Sequence, residues 1–363
     1  MKVVNTLFLT VTAIFCLISG GCKTFSSSAE KKHFVRFFNW SAPRNAQEAQ
    51  RFADVGVTDL VVSNKKQYEL AKKFGMTPYW KCFTPAGPHL QVMLPEEKQY
   101  QSYISGADLD PKMPRAKRNE ILHRRKREVQ HRWGGEMVAS VDVLAKSLPC
   151  FLSDDNLVLS RKKIDNILKD APQDVAGMFL DFFGYTNHNG CYCEKCLAKY
   201  RKYLSEKKLA DTPESKVIFY REKLIGYYDA VINYIKSKKP HYKIVVHIYP
   251  DFKADPLYGN RVKAEFCGQT VAWYFQWDQE KIKKYTRFTV NRARDHYTFA
   301  EGIPFLGLST DKTSSLGYKT PADVERELKT ILSAGGETIM VCCGRTIIEK
   351  GYYEVFKKYC GKR

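Results

Sequence analysis

No glycine-rich turn of the kind that cradles phosphate follows any apolar run in this chain, so a nucleotide-dependent role has no motif to rest on. No recognisable nucleic-acid module is present either. Long apolar stretches are also missing: the N-terminal run 7–18 is too short to span a bilayer. Acidic residues are scarce beside basic ones, 39 against 59, which leaves a net charge of +20. Such an excess suits polyanions, whether nucleic acid, anionic lipid headgroups or an acidic polysaccharide. Much of it lies in 112–132, KMPRAKRNEILHRRKREVQHR. The plain reading of that run is a solvated helical excursion; the functional one is a charged wall beside an anionic ligand.

What is present begins with an address. Lys2, the apolar run 7–18 and Ser19-Gly20-Gly21 before Cys22 read as a bacterial lipoprotein signal, although a leucine is usual where Ser19 stands. Cleavage before Cys22 and lipidation of its thiol would tether the protein to a membrane of the cell envelope. A plain secretory signal or an uncleaved anchor are the alternatives. Export weighs against nucleic acid as the partner. Residues 22–33 then read as a short, Ser-rich linker. The remainder, 34–363, is long enough for one large domain, and 44% hydrophobic content is that of a globular chain.

From residue 34 onward, apolar runs alternate with amphipathic helical patterns. Eight strands are expected, at 34–40, 58–63, 77–83, 177–183, 243–249, 270–277, 303–309 and 338–343. Helices are expected at 46–55, 66–74, 194–237, 321–333 and 349–359, with the long basic excursion after the third strand. Thr320-Pro321 is a good helix start and Gly335-Gly336 a good stop. Eight β-then-α units fit a (β/α)8 TIM barrel better than an open doubly wound sheet.

The stretch 148–204 carries most of the chemistry. Its strand is a nearly continuous apolar run broken by Asp181, as suits a parallel strand covered on both faces. Beyond it come Cys191, Cys193 and Cys196 as C-x-C-x-x-C, and Cys150 precedes the helix before the strand. Four thiolates make a structural zinc site. In an oxidising compartment the same cysteines could form disulfides instead, although rings closed by neighbouring cysteines are strained. Cys82, Cys267, Cys342, Cys343 and Cys360 are left over, several of them in apolar runs where a free cysteine behaves as a small hydrophobe.

This stretch resembles the zinc-containing β-galactosidases of glycoside hydrolase family 42. The matching residues are Cys150-Phe151-Leu152-Ser153, Ala176-Gly177-Met178-Phe179-Leu180-Asp181 and Cys191-Tyr192-Cys193-Glu194-Lys195-Cys196. The resemblance implies a (β/α)8 barrel, a zinc platform and action on a glycan. It is specific over this stretch and only architectural elsewhere. Where that family has Asn-Glu after the aspartate, the glutamate being its acid/base, this chain has Phe182-Phe183.

In a barrel the loops after each strand converge on one face, so strand-end residues can be pooled. They are Asn39 and Trp40; Trp80 and Lys81; Asp181, Tyr185 and His188; His247 and Tyr249; Trp273, Gln276, Trp277 and Asp278; Asp311; and Arg345. Aromatic faces stack on sugar rings while amide, imidazole and carboxylate groups bond hydroxyls. The structural alternative is that barrel strands are aromatic-rich anyway. Glycosidic cleavage usually needs two carboxyl groups. Asp181 is the first candidate, with Asp278, Asp311 or Asp251, in that order, across the cleft; the run 303–309 contains no glutamate. Two readings stay open: a membrane-tethered glycoside hydrolase-like protein, or a glycan-binding lipoprotein whose catalytic pair has been lost. A scaffold without a glycan role would instead bury its strand-end tryptophans.

Overall fold

The structure, a computed structural model, describes residues 36, 41–83, 86–92, 95–134, 148–181, 190–248, 261–272, 276–291, 299–310 and 318–361. The leader 1–21, the linker 22–33 with Cys22, and the expected first strand 34–40 apart from Arg36 lie outside them. Among the described residues no helix is long and apolar enough to cross a membrane.

Among the described residues seven strands form one sheet: β1 (Asp59–Val62), β2 (Thr77–Phe83), β3 (Gly177–Asp181), β4 (Lys243–Ile248), β5 (Phe266–Ala272), β6 (Glu301–Gly307) and β7 (Met340–Cys342). They are hydrogen-bonded in chain order and every neighbouring pair is parallel. The expected strands from the second to the eighth correspond to these seven. The described strands thus make a curled, TIM-like half-barrel rather than a full eightfold closure.

Contacts that skip a strand show the curl. His247 of β4 stacks on Phe305 of β6, with ring centroids 4.3 Å apart. A side chain on Gly268 of β5 would run into the thioether of Met340 on β7. At the other end of the strands Arg36 donates from Nε to Asp59 of β1 at 2.9 Å, and its guanidinium lies 4.4 Å over the ring of Phe266 on β5. One residue of the expected first strand therefore ties together the N-terminal ends of β1 and β5.

Parallel register sets the inner face in tiers. Asp181, His247, Gly268 and Ile303 are successive Cα partners across β3 to β6. Two residues earlier on each strand, Phe179, Val245, Phe266 and Glu301 form the tier below, extended onto β2 by Lys81. Side chains alternate along a strand, so Trp80 faces away from Lys81, outward from the barrel interior, and is buried there.

Helices follow from local signals. Helix α1 (Ala46–Asp54) precedes β1 and is capped by Asn45; α2 (Lys65–Lys73) follows β1 and is capped by Asn64. The excursion after β2 holds two helices packed on each other, α3 (Pro95–Ser105) and α4 (Arg115–Gly134). Arg125 of α4 grips the Asp108 carboxylate with two bonds of 2.6 Å. Helix α5 (Asp154–Asp170) leads to β3 from its Ser153 cap. The helical region expected over 194–237 is two helices, α6 (Glu194–Lys207) and α7 (Pro213–Lys238). They part where Lys208 turns left-handed at φ 54° and Thr212 caps the proline-led restart.

Helix α8 (Gln279–Val290), between β5 and β6, is not among the helices expected from the sequence. The expected sixth strand, which is β5, starts earlier than 270, at Phe266, because pairing with β4 and β6 draws Gly268 and Gln269 into the sheet. Neither residue type favours strands in isolation. Helix α9 (Pro321–Ser333) has the expected Thr320 capping box with Asp323. It ends as expected too: Gly335 at φ +99° donates to Leu332 and Gly336 donates to Ile331, a Schellman closure. After β7 a 3-10 helix, Gly344–Ile348, precedes the last helix, α10 (Tyr352–Cys360).

Candidate functional site

The expected site residues separate into three groups. Asn39, Trp40, Tyr185, His188, Tyr249, Asp251, Trp273 and Asp311 lie outside the described residues. Asp181, Lys81 and His247 share the inner face. The others are placed elsewhere, each for a visible reason.

Asp181 ends β3, is 4% exposed, and puts Oδ1 4.0 Å from Nδ1 of His247. Parallel register aligns the two residues as direct Cα partners. His247 was expected to contact substrate, but it is 1% exposed and sandwiched between Asp181 and Phe305. Burial pushes its pKa below the usual imidazole value, and Asp181 pulls in the opposite direction. A neutral imidazole beside the carboxylate is the state this arrangement favours. Its imidazole therefore faces Asp181 and Phe305 rather than solvent. Lys81 is half-buried one tier below.

Asp278, expected as a partner carboxylate, is the N-cap of α8. Its Oδ1 accepts from the backbone of Glu280 at 3.0 Å and of Lys281 at 3.1 Å. A short carboxylate just before a helix satisfies donors that would otherwise be orphaned. Trp277 is buried edge-on to Tyr285 of α8, with the Lys281 ammonium 4.0 Å over its ring. Trp80 is buried on the outer face. Both tryptophans therefore serve packing, as the scaffold reading expects of them; Trp40 and Trp273 lie outside the described residues. Gln276 is exposed and donates to the Asp323 carboxylate of the α9 capping box. Arg345 donates to Glu48 of α1 at 3.0 Å and lines a cavity of about 390 Å³ with Asn45, Arg51 and Lys350.

The cysteine platform is partly as expected. Sulfurs of Cys150, Cys191 and Cys196 lie within 4.8 Å of one another, all three residues being buried, and Cys150 Sγ is 3.4 Å from Cys196 Sγ. In a tetrahedral site with Zn–S bonds of about 2.3 Å the sulfurs stand roughly 3.8 Å apart. Three sulfurs of this spacing can therefore form one face of a metal site. Cys193 was expected as an equal fourth ligand, but it is half-buried at the N-cap of α6 and stands outside that set. It reaches the set through its backbone N–H, which donates to Cys191 sulfur, and through a thiol near Cys196.

Hydrogen bonds within the cluster favour one thiolate among thiols. Donation from Cys150 and Cys196, with Val92 N–H at 3.3 Å, holds Cys191 well below the ordinary thiol range. The same sharing pushes Cys196 and Cys150 upward. Around the sulfurs four pieces of chain are sewn together. Cys150 N–H donates to His89 carbonyl at 2.7 Å and Tyr192 N–H to Val92 carbonyl at 2.9 Å. Asn156 of α5 donates to His89 and Cys150 carbonyls, and Tyr220 of α7 donates to Cys191 carbonyl at 3.1 Å. The segment 86–92 was not a sequence candidate; its contribution is backbone, which carries no residue-type signal.

A second unforeseen group lies beside the end of β6. Lys319 and Glu327 are both 0% exposed, with Nζ 2.6 Å from Oε2. Lys319 also donates to the Gly307 carbonyl at 3.0 Å, while Tyr352 donates to the Lys319 carbonyl. The backbone N–H of Trp277 also faces the Glu327 carboxylate and helps to hold it charged. Burial pushes each group toward its neutral form and the partner's charge opposes that. The available signal was Glu327 standing on the apolar stripe of Val324, Leu328 and Ile331.

A curled sheet of parallel strands in chain order is a fold that solved glycoside hydrolase domains share. The chain is similar to the glycoside hydrolase domain of PgaB (BpsB) from Bordetella bronchiseptica, with a TM-score of 0.55 and 9% identity over 92% of this chain and 99% of that one. It is also similar to the β-galactosidase from Bacillus circulans sp. alkalophilus, at a TM-score of 0.52 and 12% identity over 90% of this chain and 56% of that one. The β-galactosidase of the haloarchaeon Halorubrum lacusprofundi gives 0.50 and 11%, over 90% and 57%. This chain thus spans a little over half the length of those two enzymes. No family model matches the sequence, and no curated protein does.

Proposed function

We propose that the protein acts on glycans, with Asp181 as the acid or nucleophile of a glycoside hydrolase-like site. The observation that carries this reading is the place of Asp181: buried on the inner face at the C-terminal end of β3, level with His247, in a fold shared with glycoside hydrolase domains. The C-terminal ends of barrel strands are where such chemistry sits. With Asp278 engaged as a helix cap, Asp311 is the partner carboxylate of this proposal; a catalytic pair of this kind needs roughly 5–10 Å between its carboxyl groups. The capping role of Asp278 and the pair Phe182-Phe183 favour a second reading, a glycan-binding protein without turnover.

Asp181→Asn removes the charge and keeps the shape. Against a glycan panel scored for both binding and released sugar, the variant should bind as the wild type does and release nothing. Wild-type turnover that survives in the variant removes Asp181 from the mechanism. Binding without wild-type turnover on any glycan establishes the second reading.

Three further elements belong to the proposal. Structural zinc is held by Cys150, Cys191 and Cys196, with Cys193 rotating in as the fourth thiolate. A lipid on Cys22 tethers the protein in a bacterial cell envelope; incorporation of a fatty-acid label into the wild type but not Cys22→Ser is the check. The glycan is acidic and meets the cations of 112–132, so anionic oligosaccharides should bind more tightly than neutral ones and lose that advantage as salt rises.

A further inference from the structure

Cys342 and Cys343 form a pair of adjacent thiols at the C-terminal end of β7, on the edge of the barrel where strand ends converge. They take no part in the cysteine platform described above. Cys342 is buried and Cys343 exposed, and their sulfurs are 3.8 Å apart. Hydrogen bonds hold the backbone on both sides of the pair. Leu308 N–H donates to the Cys342 carbonyl at 2.5 Å, and Thr346 N–H donates to the Cys343 carbonyl at 3.0 Å. Two sulfurs in contact on a fixed backbone, one of them open to solvent, have the geometry of an exchange site.

We propose that Cys342 and Cys343 are a redox modification site that closes to a vicinal disulfide by exchange with a small-molecule disulfide such as oxidised glutathione. The exposed Cys343 thiolate attacks one glutathione sulfur, forming a mixed disulfide and expelling one glutathione thiolate. Cys342 sulfur then attacks Cys343 Sγ, closes the ring and expels the second glutathione. The two cysteines lose two electrons and two protons, and the oxidised glutathione gains both as two thiols. Attack by a thiolate on a disulfide sulfur is the general route of such exchange. Closure has to bring the sulfurs from 3.8 Å to about 2.05 Å, a shift within reach of side-chain rotation.

The product is of the easily reversed kind. Neighbouring Cα atoms stand at most about 3.8 Å apart, whereas ordinary disulfides span about 4.4–6.8 Å. A bond closed below its preferred span is strained and more readily reduced. This assignment is independent of the glycan reading.

The test uses the full, reduced protein in glutathione buffers of graded oxidation, quenched by alkylation and mapped by peptide mass spectrometry. The peptide holding both residues should lose two hydrogens and take up no alkylating agent as the buffer becomes oxidising, and recover both thiols on return to reduced glutathione. Cys342→Ser should instead trap a stable glutathione adduct on Cys343. Two alkylated thiols throughout, a persistent glutathione adduct in the wild type, or a bond from either residue to another cysteine would each overturn the proposal. The wild-type map decides the matter even where a serine variant fails to fold.

Discussion

Glu327→Gln is the sharpest probe of what holds the end of β6. The substitution keeps the shape of the side chain but removes the charge that faces Lys319 at 2.6 Å, where both residues are 0% exposed. The ammonium keeps the Gly307 carbonyl and the glutamine amide oxygen as neutral acceptors, but at 0% exposure its charge is left without a counter-charge. Breaking a buried pair from one side typically costs about 3–5 kcal/mol, because an uncompensated charge stays behind. That is a large part of the roughly 5–15 kcal/mol that keeps a domain folded. Replacing both partners, Lys319→Met with Glu327→Leu, should recover most of the loss, since no charge is left to desolvate. A pH series adds a sign. Without Glu327, burial lowers the Lys319 pKa further below 10.5, so the folded variant sheds a proton that its unfolded chain still holds. Stability then rises with pH relative to the wild type, up to about the ordinary lysine value. The assay is urea denaturation of the wild type, single and double variants from neutral to alkaline pH. A single-variant cost below about 1 kcal/mol, the value of an exposed pair, would refute the reasoning. So would a double variant no more stable than the single one.

His247 should give the opposite end of the pH scale. Its folded pKa lies below 6.5, so its contribution is intact above that value and is lost as pH falls through the folded pKa; His247→Gln should flatten the acid limb of a stability–pH curve. An unchanged limb would place the acid sensitivity elsewhere. Gly268→Ala puts a methyl 2.2 Å from Met340 Sδ and should cost about 1–3 kcal/mol in denaturation, less when paired with Met340→Ala. Equal costs in both backgrounds would contradict the tiered interior. For the platform, metal analysis should find zinc that Cys196→Ser lacks, and a strong chelator should lower the melting temperature of the wild type only. Absence of zinc from the purified protein would defeat the metal reading.

Local chemistry was legible without coordinates. Alternation of apolar runs and helical patterns placed the second to eighth expected strands within a few residues, because a strand buried on both faces must be apolar throughout. Thr320-Pro321 and Gly335-Gly336 were readable as the ends of α9, since caps are set by residues adjacent in sequence. Cys150, Cys191 and Cys196 could be picked out because thiols at close spacing have few other uses. Spacing does not say which sulfurs meet, however, and Cys193 shows this.

Only the fold decided the rest, because direction and burial depend on partners far along the chain. Trp80 and Lys81 are neighbours in sequence, yet register with β3 turns one outward and the other inward. Asp278 and Asp181 are the same residue type at strand ends, but one faces two helix donors and the other an imidazole. Lys319 and Glu327 look like ordinary surface charges until α9 docks and removes their water. A sequence states which groups a protein owns; the free energy of each is set by what surrounds it, and that is a property of tertiary structure.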